Sequence, residues 1–142
     1  MEPAAPTIAD YPLQTHEKLR YGDTDRQGHV NNAVFSTMLE TGRVELLLPS
    51  DGPLHDPGCA FVIASLHLDF HREVNWPGQV DIGTRVAKIG RSSVTLEQAL
   101  FQGGRCVATA TTVIVQMNEA SRRSQALSEA AVRRLGELMP GR

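Results

Sequence analysis

Between residues 60 and 117 the chain runs through four stretches in which apolar and polar side chains alternate with a period of two, separated by turn residues. Val62, Ala64, Leu66, Leu68 and Phe70 alternate with Ile63, Ser65, His67, Asp69 and His71, which predicts a half-buried strand over 60–71. Trp76-Pro77-Gly78 reads as a turn, after which Val80, Ile82, Thr84 and Val86 alternate with Asp81, Gly83 and Arg85. Past the bend at Ile89-Gly90-Arg91, Val94, Leu96 and Leu100 share one side of a third strand. Gly103-Gly104 is a two-residue hairpin turn into the β-branched stretch from Arg105 to Met117. Strands so closely spaced form an antiparallel sheet, whose apolar face needs a second layer to cover it.

Upstream lies the element that can supply that layer. Val34 and Met38 form one column at helical spacing, and Phe35, Leu39, Gly42 and Leu46 form the adjacent one. Pro49 stops the run, so a helix over 31–48 is predicted, preceded by a short strand near 14–21 and a polar loop. Glu40 is expected to pair with Arg43 at i+3 on its surface. After Asn118 the polarity rises, and Ser128 is placed to cap a short helix bearing Val132, Leu135 and Leu138 or Met139. The order implies an α+β chain. Its 142 residues form one expected domain, with 1–12 a loose leading segment and 119–142 a helical tail.

Composition narrows the function classes. Lys+Arg number 14 against 16 Asp+Glu, a net charge of -2, so no global positive field is present to hold nucleic acid. The start lacks the positive and apolar segments of a signal peptide, and no apolar run approaches the ~20 residues that span a bilayer. Cys59 and Cys106 suit neither a disulfide framework nor a CxxC metal pair, so a soluble cytoplasmic protein is expected.

Chemistry concentrates in Arg20-Tyr21-Gly22-Asp23-Thr24-Asp25-Arg26-Gln27-Gly28-His29-Val30-Asn31-Asn32, just ahead of the helix. A helix N-terminus offers unpaired N–H groups and partial positive charge to an oxyanion, while a carboxylate beside it supplies a nucleophile or base. A calcium loop is excluded because its twelfth position is Val34, where a bidentate Glu is required. An aspartyl phosphatase needs a longer α/β chain with its Asp-x-Asp at the end of a buried strand. His67, Asp69 and His71 read better as a polar strand face than as metal ligands, and no Gly-x-Ser-x-Gly elbow is present. Asp23 reads as a loop residue bonding nearby N–H groups, and Asn31 as the helix N-cap.

With these residues in view, the chain resembles the hotdog-fold thioesterases of the 4-hydroxybenzoyl-CoA thioesterase type. The resemblance spans nearly the whole chain and is most specific over Asp23-Thr24-Asp25-Arg26-Gln27-Gly28-His29-Val30-Asn31-Asn32. It continues through Phe35, where the family often has Tyr, and Leu39-Glu40-x-x-Arg43. It implies a long helix wrapped by a curved antiparallel sheet, usually dimeric, with acyl sites between subunits. The family's catalytic carboxylate stands three residues before the loop Gly, here Asp25 before Gly28, and its oxyanion donor matches the backbone N–H of Asn32. His29 is a supporting candidate, either orienting the loop or protonating the departing thiolate.

The implied activity is hydrolysis of an acyl-CoA to a carboxylic acid and free CoA, with no cofactor and no metal. Coenzyme A brings phosphates that must meet cations. Arg85, Lys88 and Arg91 are candidates, with Arg105 a further one, and Ser92 and Ser93 stand beside Arg91, near where the family often contacts the nucleotide. Two alternatives are a noncatalytic acyl-CoA-binding hotdog protein and a hotdog hydratase or dehydratase. The sequence leaves open the acyl group, CoA against an acyl-carrier-protein thioester, nucleophile against general base for Asp25, and homodimer against homotetramer.

Overall fold

The computed structural model describes residues 5–140. Five strands, β1 (Leu13–Lys18), β2 (Cys59–Phe70), β3 (Gln79–Ile89), β4 (Ser93–Gln102) and β5 (Arg105–Asn118), form one antiparallel sheet. Their order is β1-β3-β4-β5-β2, so the sequential meander β3-β4-β5 is flanked by the two earlier strands. Register shifts at Ile63/Ser65, Val86/Lys88 and Leu100/Phe101 bend the sheet. Gly103 and Gly104 take φ of 59° and 80°, the left-handed pair of a tight hairpin turn.

The helix α1 (Asn32–Leu47) lies on one face of the sheet, as the α+β hotdog reading expects. Its N-cap is Asn31, whose Oδ1 accepts the Ala33 N–H at 2.9 Å. Phe35, Met38, Leu39 and Leu46 are sealed against the sheet. Gly42 belongs to this stripe for a reason the apolar pattern does not convey. A Cβ there would come within 2.7 Å of Gln98 Nε2 and 2.9 Å of both Ile82 Cγ2 and Thr84 Oγ1, so the helix backbone packs directly on the side chains of the sheet. Gln98 fastens the approach, its Nε2 donating to Leu39 O and to Thr84 Oγ1, both at 3.0 Å.

Three expectations need correction. Among the described residues no ion pair joins Glu40 to Arg43. Arg43 turns inward and is buried, donating to Gln98 Oε1 at 3.4 Å, while Glu40 stays in solvent. Burial lowers the pKa of the guanidinium against the opposing pull of the Glu40 charge. The strand β2 is not half-buried as its alternation suggests. Val62, Ile63 and Leu66 are exposed, because β2 is the edge strand farther from α1, which packs mainly over β1, β3 and β4. In α2 (Glu129–Gly136), capped by Ser128 as expected, Ala131 and Leu135 are buried and Val132 is exposed.

Of the leading segment expected to be loose, residues 1–4 lie outside the described residues, and Ile8–Asp10 form a 3₁₀ turn. It delivers Tyr11 into the sheet's other face, against Gly83 and Phe101. Gly42→Ala is expected to cost about 1–3 kcal/mol through overpacking. Urea unfolding reads this as a lower midpoint at unchanged slope, and an unchanged midpoint would show that the helix rises from the sheet without penalty.

Candidate active site

The loop ahead of α1 is held by its own polar groups. After β1, a 3₁₀ turn (Tyr21–Asp23) buries Asp23, whose carboxylate accepts the Arg20 N–H and Arg20 Nη2, both at 2.9 Å. The carbonyl of Asp23 accepts the Asn31 N–H at 2.8 Å, so one residue ties both ends of the loop. Burial by itself would raise the Asp23 pKa, but the Arg20 N–H, its guanidinium bond and its charge outweigh that and hold it below the usual 3.8. Gly28, at φ 82°, makes the reversal between Asp25 and His29.

Asp25 uses one oxygen for the loop and leaves the other free. Its Oδ1 accepts the Gln27 and His29 N–H groups at 2.8 and 3.2 Å, and its own N–H donates to His29 O at 2.7 Å. Among the described residues Oδ2 has no hydrogen-bond partner. The N–H of Asn32, first residue of α1, likewise has none, as the opening turn of a helix requires. Asp25 and Asn32 both line a cavity of about 400 Å³ whose walls also include His29, Phe35, Phe70 and Glu73. Phe35 and Phe70 meet edge to face there at 5.1 Å. The structure therefore brings together Asp25, His29 and Asn32.

It also adds a residue that the sequence reading missed. Glu73, from the β2–β3 connection, lies with Oε2 2.7 Å from His29 Nε2. A carboxylate at that distance attracts the imidazole as an ion pair when the ring is protonated. No spacing links positions 29 and 73. Their contact depends on the bridges His29↔Asn75 and Val30 N–H to Val74 O, which dock the loop on that connection.

A family model described as the Thioesterase-like superfamily matches residues 19–135, most of the chain and all the elements of this site. The chain belongs to that superfamily. Its enzyme class is thioester hydrolase. A coenzyme A and Zn complex of a thioesterase from Thermus thermophilus is 30% identical, with TM-score 0.78 over 91% of this chain and 95% of that one. The PA5185 protein from Pseudomonas aeruginosa is 26% identical, with TM-score 0.86 over 97% and 99%. A predicted thioesterase from Bacillus stearothermophilus, 23% identical at TM-score 0.78 over 89% and 96%, shares the fold. No curated protein matches the chain in sequence. No helix among the described residues is long and apolar enough to cross a membrane.

The other candidate residues of this superfamily member lie elsewhere. Arg85 is held on the sheet face opposite α1 by Glu97 at 3.0 Å and by the Tyr11 ring at 4.8 Å. Lys88 is exposed near the end of β3. Arg91, Ser92 and Ser93 sit at the β3–β4 turn, beside Gln116 and Leu127. That end of the sheet carries Ile63 of β2, far from Phe70 at the Asp25 cavity, so within one subunit these residues do not meet Asp25. His67 bonds Asp69 at 3.1 Å and His71 bonds Thr109 at 2.8 Å, each satisfied within the sheet.

Because the folded Asp23 pKa is depressed, its stabilisation is complete above the unfolded value and is lost as pH falls through the folded one. The stability gap between wild type and Asp23→Asn should therefore be constant from neutrality to about pH 5 and close below about pH 4. Denaturant melts across that range measure it, and a gap that stays flat to about pH 2 would show that Arg20 does not hold the ionised carboxylate.

Proposed function

We propose that this chain is an acyl-CoA thioesterase of the 4-hydroxybenzoyl-CoA thioesterase type, with Asp25 as its catalytic carboxylate. The observation that carries the reading is that one cavity is lined by both Asp25, whose Oδ2 is unbonded, and Asn32, whose helix N–H is unbonded. The thioester carbonyl oxygen accepts from the Asn32 N–H, where the start of α1 favours the charge that develops on it. As a general base, Asp25 takes a proton from water, whose oxygen adds to the carbonyl carbon. Collapse of the adduct breaks the C–S bond and the thiolate regains the proton. As a nucleophile, Oδ2 itself adds, the thiolate leaves, and water cleaves the mixed anhydride.

Departure of the thiolate needs little assistance, since a thiol pKa is about 8.5. His29, oriented by Glu73, stands beside the path to give or receive that proton. The acyl group lies against the Phe35–Phe70 pair. Asp25→Asn should lower kcat about 100-fold or more at unchanged folding, measured as thiol release from a panel of short, long and aromatic acyl-CoAs. Wild type that binds acyl-CoA but releases no thiol would replace this reading with that of a binding protein.

The site is completed by a second copy. The outer side of β2, a strand of twelve residues, has no partner strand among the described residues, with Ile63 50%, Leu66 41% and Phe70 49% exposed along it. Antiparallel pairing of β2 with its copy about a two-fold axis reverses the strand. It thus turns the partner subunit's Arg91 and the partner subunit's Ser92 toward the end where this subunit holds Asp25. The free thiols of Cys59 and Cys106 suit a reducing compartment such as the cytoplasm. Leu66→Lys should convert the dimer to monomer in light scattering and remove most activity, and an unchanged dimer would show that the subunits meet elsewhere.

A further inference from the structure

Resting on the acyl-CoA reading above, we infer that the preferred acyl group ends in a carboxylate, which Arg43 and Thr112 receive at the far end of the acyl trough. The register traces that trough. Phe70, which meets Phe35 at the Asp25 cavity, stands opposite Ala108 of β5. The next two rows pair Leu68 with Ala110 and Leu66 with Thr112, on the face of the sheet that carries α1. The two alanines keep the floor low, and α1 packs mainly over β1, β3 and β4, so a trough is left between the helix and β2, open where Leu66 is exposed.

Its far end is polar where a core would be apolar. Thr84, Gln98, Arg43 and Thr112 are all buried, as a belt between the apolar cluster around Phe35 and Leu39 and the one around Leu46. Toward β3 and β4 the belt is satisfied, since Thr84 Oγ1 and Leu39 O both accept from Gln98 Nε2. Toward β5 it is not. Among the described residues Arg43 makes one hydrogen bond, from Nη1 to Gln98 Oε1 at 3.4 Å, and the buried Thr112 Oγ1 has no partner. Gln98 stands opposite Ala110, one row before Thr112, and helix side chains lean toward the N-terminus, so Arg43 meets the trough near those two rows.

Buried donors without acceptors cost free energy, and a methyl end group would leave both as they are. A carboxylate accepts from the guanidinium and from the hydroxyl, through the stronger charge-assisted kind of bond. The Glu40 charge also acts on this guanidinium, but from an exposed position where solvent screens it. Length follows from the strand. Leu66 lies four residues from Phe70, about 13 Å along β2, and an extended chain advances about 1.2 Å per bond, so the end group sits roughly ten bonds from the thioester carbonyl.

The test compares two ten-carbon acyl-CoA substrates, one ending in methyl and the other in carboxylate. Wild type should favour the carboxylate end at least about tenfold in kcat/KM. Thr112→Val removes a hydroxyl that has no partner in the fold, and should cut that preference about tenfold. Arg43→Met should reverse the preference, and Arg43→Lys, which keeps the charge without the fork, should recover part of it. A wild type that prefers the methyl end, or variants that leave the ratio between the two substrates unchanged, would overturn the assignment. Calorimetric binding of both thioesters to Asp25→Asn separates the end-group site from the hydrolase reading. Tighter binding of the carboxylate-ended thioester, with no turnover of either by wild type, would keep the site and remove the hydrolase. Equal or weaker binding would remove the site whatever the turnover.

Discussion

Everything about the site depends on how closely α1 lies on its sheet. At Gly42 the absence of a side chain lets the helix backbone approach Ile82, Thr84 and Gln98, and the Gln98 amide spans the remaining gap to Leu39 O. With the helix axis set there, its first turn cannot choose its position. Asn32 arrives beside Phe70, and the loop that must reach it from β1 has its two ends tied by Asp23. The unpaired N–H of the first turn, costly if merely buried, belongs instead to an exposed residue that lines one cavity with Asp25, whose Oδ2 the loop does not use.

Much of this was legible in the residues. Alternation located the strands, and the i, i+3, i+4 columns located α1 and the face it buries. The Gly103-Gly104 turn, the Asn31 cap and the Ser128 cap were readable because each has a local cause, a positive φ or an orphaned N–H. Asp25, His29 and Asn32 fall within eight residues of one another, so sequence proximity stood in for spatial proximity.

What escaped were relations between distant segments. The period of β2 says which side chains share a face, but not that the strand ends up at an edge the helix does not cover. Glu40 and Arg43 have the spacing of a surface pair, yet a polar side chain across the interface, Gln98, draws the arginine inward. Glu73 joins the site only because the β2–β3 connection docks on the loop. The arginines invoked for phosphate were those next to a recognisable bend. The structure sends Arg85 to the opposite face and the Arg91 bend to the opposite end of its own subunit.

The strand order carries a kinetic meaning as well. The meander β3-β4-β5 closes through neighbouring residues, whereas β1 and β2 join it by pairings such as Leu13↔Thr84 and Cys59↔Asn118, each of which closes a long loop. Loop-closure entropy favours the meander as the earliest native-like unit, with α1 and the two outer strands laid on it afterwards. The loop bearing Asp25 connects β1 to α1, two late arrivals, so its geometry is set only when the chain's most distant parts have met.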